Sequence, residues 1–596
     1  MKTEWNLTSF FNGDNDLNIE KKRNEAKTKC YAFINKWKKR NDYLKNSKAL
    51  KQALDEYEKI LHYYGTDGGE GIYFWLRSAK DQLNTNVKAK LNKSHDFSTK
   101  IENDLLFFEL NLAKVDAKTQ KKFLNDFILK DYKHHLECTF KNAKYLLTEP
   151  EEKILTLMSK TSYSNWVKML SAFLSKEERI VLDYDGKLKM KTFEEIVSLT
   201  MSIKKKVRDG AAKEINDILL KHLDVAESEI NSILENKKVT DELRKFERPD
   251  SARHISDDID TKVVDTLIET VSKRFDISKR YYNLKAKLLG VKKLKYYERS
   301  VPYGKVDKKY SFDEAVKLIR NVFGKLDSYF LDKFNSFLDN GQIDVYPKKG
   351  KKGGGFCVHF KLIDPAFILL NYIGKVHDLT TIAHEMGHAI NNELMREKQN
   401  ALNFEAPLST AEVASTFMED FVFQEILGEA NDEQKLSLLI NKLDNDIAAI
   451  LRQAACYKFE MELHKEFREK GYLSKEEVGK IFQRNMASYM GNSVEQSEGS
   501  ENWWVSWSHI RHSFYVYSYV SGLLISKALQ AEVKKNPKFI EKVKEFLSVG
   551  VSKSPREIIL ELGMDITKKE FWEKGLNEID SLLKETEKLA KKLKKI

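Results

Sequence analysis

The sequence predicts a mainly α fold, and three observations lead there. Structure-breaking residues are scarce: 8 prolines and 26 glycines in 596 residues, against usual shares of about 5% and about 7%. Long stretches such as 51–64 and 117–147 repeat apolar residues every three or four positions, the period of an amphipathic helix. Apolar residues make up 41% of the chain and aromatics 11%, enough for a buried core larger than that of one ordinary domain. Collagen-like chains, proline-rich disorder and turn-rich sandwiches or barrels are excluded, because each needs the breakers that are missing here.

Taken in order, the helical period dominates from about Leu17 to Glu235. Gly65-Thr66-Asp67-Gly68-Gly69 reads as a turn between two helices. Asp183-Tyr184-Asp185-Gly186 reads as a second turn with a short hairpin or loop around it, and helical pattern restarts near Phe193. That break predicts an N-terminal helical lobe over 1–190 and a second region over 191–596. Arg248-Pro249-Asp250-Ser251 and Pro302-Tyr303-Gly304 interrupt the second region. A strand region is expected within 345–360, where Pro347, Gly350 and the run Gly353-Gly354-Gly355 break any helix. Helical pattern then continues almost to Ile596. No internal repeat or long low-complexity linker appears, so the lobes are expected to pack together.

The charge balance is +12, with 102 Lys+Arg against 90 Asp+Glu. Basic clusters such as Lys204-Lys205-Lys206 and Lys591-Lys592 stand on helical stretches interleaved with acids, which is the pattern of solvated faces. Nucleic acid is therefore not expected as the main partner, although a weak, salt-sensitive anionic contact fits the surplus. The cysteines Cys30, Cys138, Cys357 and Cys456 are far apart and form no C-x-x-C pair, so neither a disulfide framework nor a thiolate zinc site is expected. The N-terminus has no apolar signal core, and no window of eighteen apolar residues occurs. The expectation is a cytoplasmic protein without membrane attachment, monomeric or a small homo-oligomer.

Chemistry concentrates at Ala383-His384-Glu385-Met386-Gly387-His388. On a helix, His384 and His388 project from one face and can grip a single Zn²⁺, while Glu385 can act as general base on a metal-activated water. Asp378 can cap the helix start, and Ile382, Ala383, Met386, Ala389 and Ile390 form an apolar flank. Gly387 costs about 1 kcal/mol in a helix interior, which predicts close approach of another element. A third ligand is needed, and Glu412 on the next helix is the candidate. Its competing role is a capping box, Ser409-Thr410-Ala411-Glu412, with the carboxylate turned to the backbone. Glu419, seven residues on, is a candidate to orient a ligand histidine or is an ordinary solvated or paired acid.

Gly353-Gly354-Gly355-Phe356-Cys357, Asp364-Pro365, Leu369-Leu370-Asn371-Tyr372, the His384–His388 motif and Glu412-Val413-Ala414-Ser415-Thr416 together resemble the M3 family of zinc oligopeptidases, closest to its oligoendopeptidase F branch. The resemblance extends to Trp5-Asn6-Leu7 and to Phe514-Tyr515-Val516-Tyr517-Ser518-Tyr519, and so spans nearly the whole chain. It implies one zinc held by His384, His388 and Glu412. It also implies two helical lobes around a deep channel that admits short peptides, with a small β-sheet beside the zinc helix and 191–596 as the catalytic region.

Two further tasks belong to such a site. Gly354, Gly355 and Phe356 would bind an extended peptide by edge-strand pairing, with glycines leaving room for its backbone. His359, alternating with Phe356, Val358 and Phe360, reads as a strand-face residue. The resemblance implies a histidine and tyrosines as oxyanion donors. His509 matches in placement, and Tyr515 and Tyr519 share a helical face that Tyr517 does not. The 491–500 segment reads as a mobile loop suited to closing over substrate. The expected activity is zinc-dependent hydrolysis of internal bonds in short unstructured peptides. The alternatives are a zinc carboxypeptidase and a non-catalytic basic protein that binds peptides or nucleic acid.

Overall fold

The computed structural model describes residues 1–304 and 308–596. It is mainly helical, with only short strands among these residues. Two compact units interleave along the chain. One comprises Met1–Lys144, Asp307–Ile426 and Leu529–Met564, and the other Tyr145–Val306, Leu427–Ala528 and Asp565–Ile596.

In the first unit, helices start where polar caps precede apolar periodicity. Asn46 accepts from the amides of Lys48 and Ala49 and opens the Ser47–Lys59 helix, which buries Leu50, Ala53 and Leu54 at three- and four-residue spacing. That face joins an aromatic core including Phe33, Trp37, Tyr43 and Phe108. A second core forms around Trp5, Phe10, Phe11 and Phe74. The Trp5 indole donates to the carbonyls of Gln342 and Ile368 at 3.1 and 2.7 Å, fastening the N-terminus to the sheet.

That sheet has three strands in the order Ile343–Asp344, Phe367–Leu369, Phe356–Val358. Phe367–Leu369 is central and fully buried. It runs parallel to Ile343–Asp344 and antiparallel to Phe356–Val358, with Phe356 opposite Leu369 and Val358 opposite Phe367. The edge strand Phe356–Val358 lies beside the 23-residue helix Val376–Lys398 that carries the histidine motif. The next helix is Val413–Glu429.

In the second unit, Glu178–Leu182 and Leu188–Thr192 form an antiparallel hairpin around Asp183-Tyr184-Asp185-Gly186, so the turn at which the sequence suggested a lobe boundary lies inside this unit. Buried charges here are paired. Lys285 reaches both Asp444 oxygens at 2.7 Å, and Arg511 meets Glu229 at 2.8 Å. The basic C-terminal run is ion-paired: Lys592 meets Asp432 at 2.6 Å and Lys595 meets Glu433 at 3.1 Å. The 491–500 segment, expected to be a mobile loop, is fastened instead. Val494–Glu495 pairs in parallel with Leu294–Lys295, and Asn216 donates to the Glu498 carbonyl at 2.8 Å. Its glycines serve tight contacts: a Cβ on Gly499 would lie 2.5 Å from the Asn216 amide.

Candidate active site

The histidine motif sits on helix because the local code is complete. The Asp378 carboxylate accepts from the amides of Ile373 and Lys375 at 2.8 and 3.0 Å, satisfying donors that precede the first turn. Ile382, Ala383, Met386, Ala389 and Ile390 are all buried, so the apolar flank of the helix is locked in the core. His384 and His388, one turn apart, lie with ring centroids at 5.1 Å and planes at 81°.

Gly387 lies in that same turn. A Cβ on it would fall 2.4 Å from the Ala414 carbonyl oxygen and 2.5 Å from the Ser415 Cα. The expected close approach is the start of the Val413–Glu429 helix, and it brings Glu412 to the histidines. The Glu412 carbonyl accepts from the Thr416 amide at 3.1 Å, which makes Glu412 the cap residue of a helix beginning at Val413. Its side chain does not close the Ser409–Glu412 box. One carboxylate oxygen lies 3.4 Å from His384 Nε2 and 3.5 Å from His388 Nε2, and accepts from Ser415 Oγ at 2.8 Å. The ligand atoms of His384, His388 and Glu412 all lie within 4.8 Å of one another, as metal donors do. Glu419 meets His384 Nδ1 at 3.1 Å, leaving Nε2 to face Glu412.

The electrostatics follow from this packing. Burial opposes a charge on His384, yet hydrogen bonds to Glu412 and Glu419 outweigh it and push the ring up to about 10. Burial likewise opposes the Glu412 charge, but His384 and His388 hold its carboxyl far below the usual range. A donor set that draws positive charge this strongly fits a divalent cation, which competes with protons for the same atoms. Glu385 points differently. Its carboxyl is buried and raised chiefly by burial, with the two histidines opposing.

The edge strand reaches that carboxyl directly. A Cβ on Gly355 would lie 3.2 Å from Glu385 Oε1 and 2.9 Å from the Thr381 methyl, so a glycine is needed there to admit the motif helix. Gly354 has φ +78, a conformation glycine adopts without strain. Asn371 clamps this turn, donating to the carbonyls of Lys352 and Gly354 at 2.9 and 2.8 Å. Asn371 lay in a segment that carries the family resemblance, but sequence alone assigned it no task. His359 follows the strand, packs on Phe404 at 5.0 Å and is pushed by burial down to about 4, a neutral ring outside the ligand group.

His509, Tyr515 and Tyr519 belong to the second unit and form one cluster. His509 stacks on Tyr515 at 5.4 Å and 13°, and the two tyrosine hydroxyls lie 3.4 Å apart. Tyr517 turns into the core and donates to Asp257 at 2.6 Å. His512 pairs with Tyr163 instead. The cluster rests on Ser513 and Phe514, both at positive φ (40° and 63°).

Known proteins are similar to this chain along most of its length. The profile of Peptidase family M3 matches residues 199–578, and that of Oligopeptidase F matches 111–173. An oligoendopeptidase F homolog of Lactococcus lactis subsp. lactis is 24% identical, covering 99% of this chain and 98% of its own. Another, from Borreliella burgdorferi, is 26% identical over 98% of both chains. The crystal structure of oligoendopeptidase-F from Enterococcus faecium superposes with TM-score 0.72 at 18% identity, covering 96% of this chain and 99% of that one, which shows a shared fold. With one profile spanning well over half of its length and enclosing the two histidines, Glu385 and Glu412, this chain belongs to peptidase family M3.

Proposed function

We propose that the protein is a zinc-dependent oligoendopeptidase that hydrolyses internal bonds of short, unstructured peptides. The observation that carries this reading is the convergence of His384 Nε2, His388 Nε2 and one Glu412 oxygen beside a buried Glu385. Lewis acidity toward water and the scissile carbonyl is what a zinc ion held by these three residues supplies. Glu385, adjacent to the first ligand, takes the proton of the attacking water and returns it to the leaving amine. Its burial and raised carboxyl suit a group that must both accept and give a proton near neutrality. Glu419 fixes the His384 tautomer. Gly354, Gly355 and Phe356 align the peptide along the sheet edge.

The family resemblance implies His509, Tyr515 and Tyr519 as donors to the developing oxyanion, each donor worth about 3 kcal/mol. Their mutual ring contacts support a joint role. Burial and the nearby Arg452 push His509 below the usual histidine range, so it acts as a neutral hydrogen-bond donor. The unpaired cysteines agree with a reducing, cytoplasmic setting.

The test is a digest of a mixed peptide library with and without chelator, read by mass spectrometry, together with a quenched peptide blocked at both ends. Cleavage of the blocked peptide that chelator abolishes and zinc restores is expected. Release of C-terminal residues only, with the blocked peptide intact, would make the protein a carboxypeptidase.

A further inference from the structure

A cavity of about 650 Å³ opens within the first unit where the edge strand ends. The strand runs alongside the motif helix. Gly355 touches Thr381 and Glu385, Cys357 receives a hydrogen bond from Asn392, and His359 reaches Phe404 beyond the helix end. His359 and Phe360, the two residues after the strand, line the cavity. The distance from Gly355 to His359 is four residues of extended chain, about 13 Å.

The walls combine apolar surface with one sign of charge. Phe404, Leu105 and Ile72 contribute the apolar part. Four carboxylates, Asp67, Glu102, Glu109 and Glu405, line it against a single lysine, Lys361. Asp67 is spent on the amides of Gly69 and Gly71, and Glu109 meets His135 at 3.3 Å. Lys361 is drawn toward Asp364. Among the described residues Glu102 accepts from the hydroxyls of Thr66 and Ser98, and Glu405 lies 3.9 Å from His359 with its side chain 73% exposed. Burial holds the His359 ring neutral, so it does not cancel Glu405. In a chain of net charge +12 this negative concavity is a local inversion.

We propose that this cavity is a substrate subsite for a cationic group of the peptide, held about four residues from the cleaved bond: a lysine or arginine side chain, or the free amino terminus. The assignment rests on the peptidase reading, since it takes the register from Glu385 and the sheet edge. A chain paired along Phe356–Val358 leads directly to the opening. The apolar wall accepts the methylene stem and Glu102 and Glu405 accept the head group.

The test is equilibrium binding to the zinc-loaded Glu385→Gln enzyme, with lysine moved through a short peptide and norleucine as its uncharged counterpart. Each peptide is measured with a free and an acetylated amino terminus. At one position, or with the free terminus, the cation is expected to bind about tenfold more tightly, the scale of a charge-assisted hydrogen bond. Adding Glu102→Gln and Glu405→Gln together should abolish that preference while leaving norleucine binding unchanged. Dependence on the lysine or on the terminus identifies the source. Equal binding of lysine and norleucine at every position and with either terminus overturns the proposal, as does equal weakening of both peptides by the paired substitution. Binding does not need turnover, so a wild-type enzyme that cuts no peptide would overturn the hydrolytic reading separately.

Discussion

Gly387 and Ala414 are in backbone contact: a single methyl on Gly387 would sit 2.4 Å from the Ala414 carbonyl oxygen. The contact joins the helix that carries both histidines to Ala414 and Ser415, two and three residues after Glu412. A missing side chain places Glu412 beside the two histidines.

Glycine-to-alanine changes inside helices ordinarily stabilise by about 1 kcal/mol. Gly387→Ala is expected to do the reverse, lowering the melting temperature and cutting zinc affinity by an order of magnitude or more. Metal analysis and a thermal melt check both. A variant that melts higher and keeps full metal would show that the two helices do not need this contact.

Glu385→Gln keeps the shape of the buried side chain and removes its basicity. Zinc content should match wild type while peptide cleavage falls by about 10²–10⁴, the range of general-base contributions. Turnover near the wild-type rate would remove Glu385 from the mechanism.

Glu419 touches His384 through the nitrogen that does not face Glu412. Glu419→Gln should weaken zinc affinity by about 10–100-fold, measured by competition with a chromogenic chelator. Glu419→Ala should lose at least as much. Unchanged affinity in both would make Glu419 an ordinary acid.

Glu460 predicts a pH effect on stability. The Phe514 amide donates to it at 2.8 Å, tying down the positive-φ turn beneath Tyr515. Burial pushes its carboxyl from 4.5 up to about 8. The folded protein therefore keeps a proton that the unfolded chain loses above 4.5. This contribution to stability is complete below pH 4.5 and declines as pH rises toward 8. Glu460→Gln should raise the melting temperature relative to wild type at pH 8 and leave it nearly unchanged at pH 4.5. An equal shift at both values would show that ionisation of Glu460 is not involved.

The sequence by itself determined what short-range geometry decides. Scarce breakers and the three- to four-residue period dictate helices, because each turn is closed by neighbours along the chain. His384, Glu385 and His388 were legible together for the same reason: four residues of helix fix which side chains share a face. The hairpin around Asp183–Gly186 was legible in its turn residues.

Tertiary structure decided the roles that depend on distant partners. Glu412 could serve a capping box or a metal, and the helix start at Val413 together with the Gly387 contact turned it to the histidines. Gly355 suggested room for a substrate backbone, and the fold adds a demand of its own: Thr381 and Glu385 occupy the space a side chain there would need. The polar, glycine-containing 491–500 segment suggested motion, and Asn216, far away in sequence, fastens it. Composition and period report which conformations a segment favours. They do not report which backbone arrives within a few ångströms of it, and that arrival assigns a carboxylate or a glycine its task.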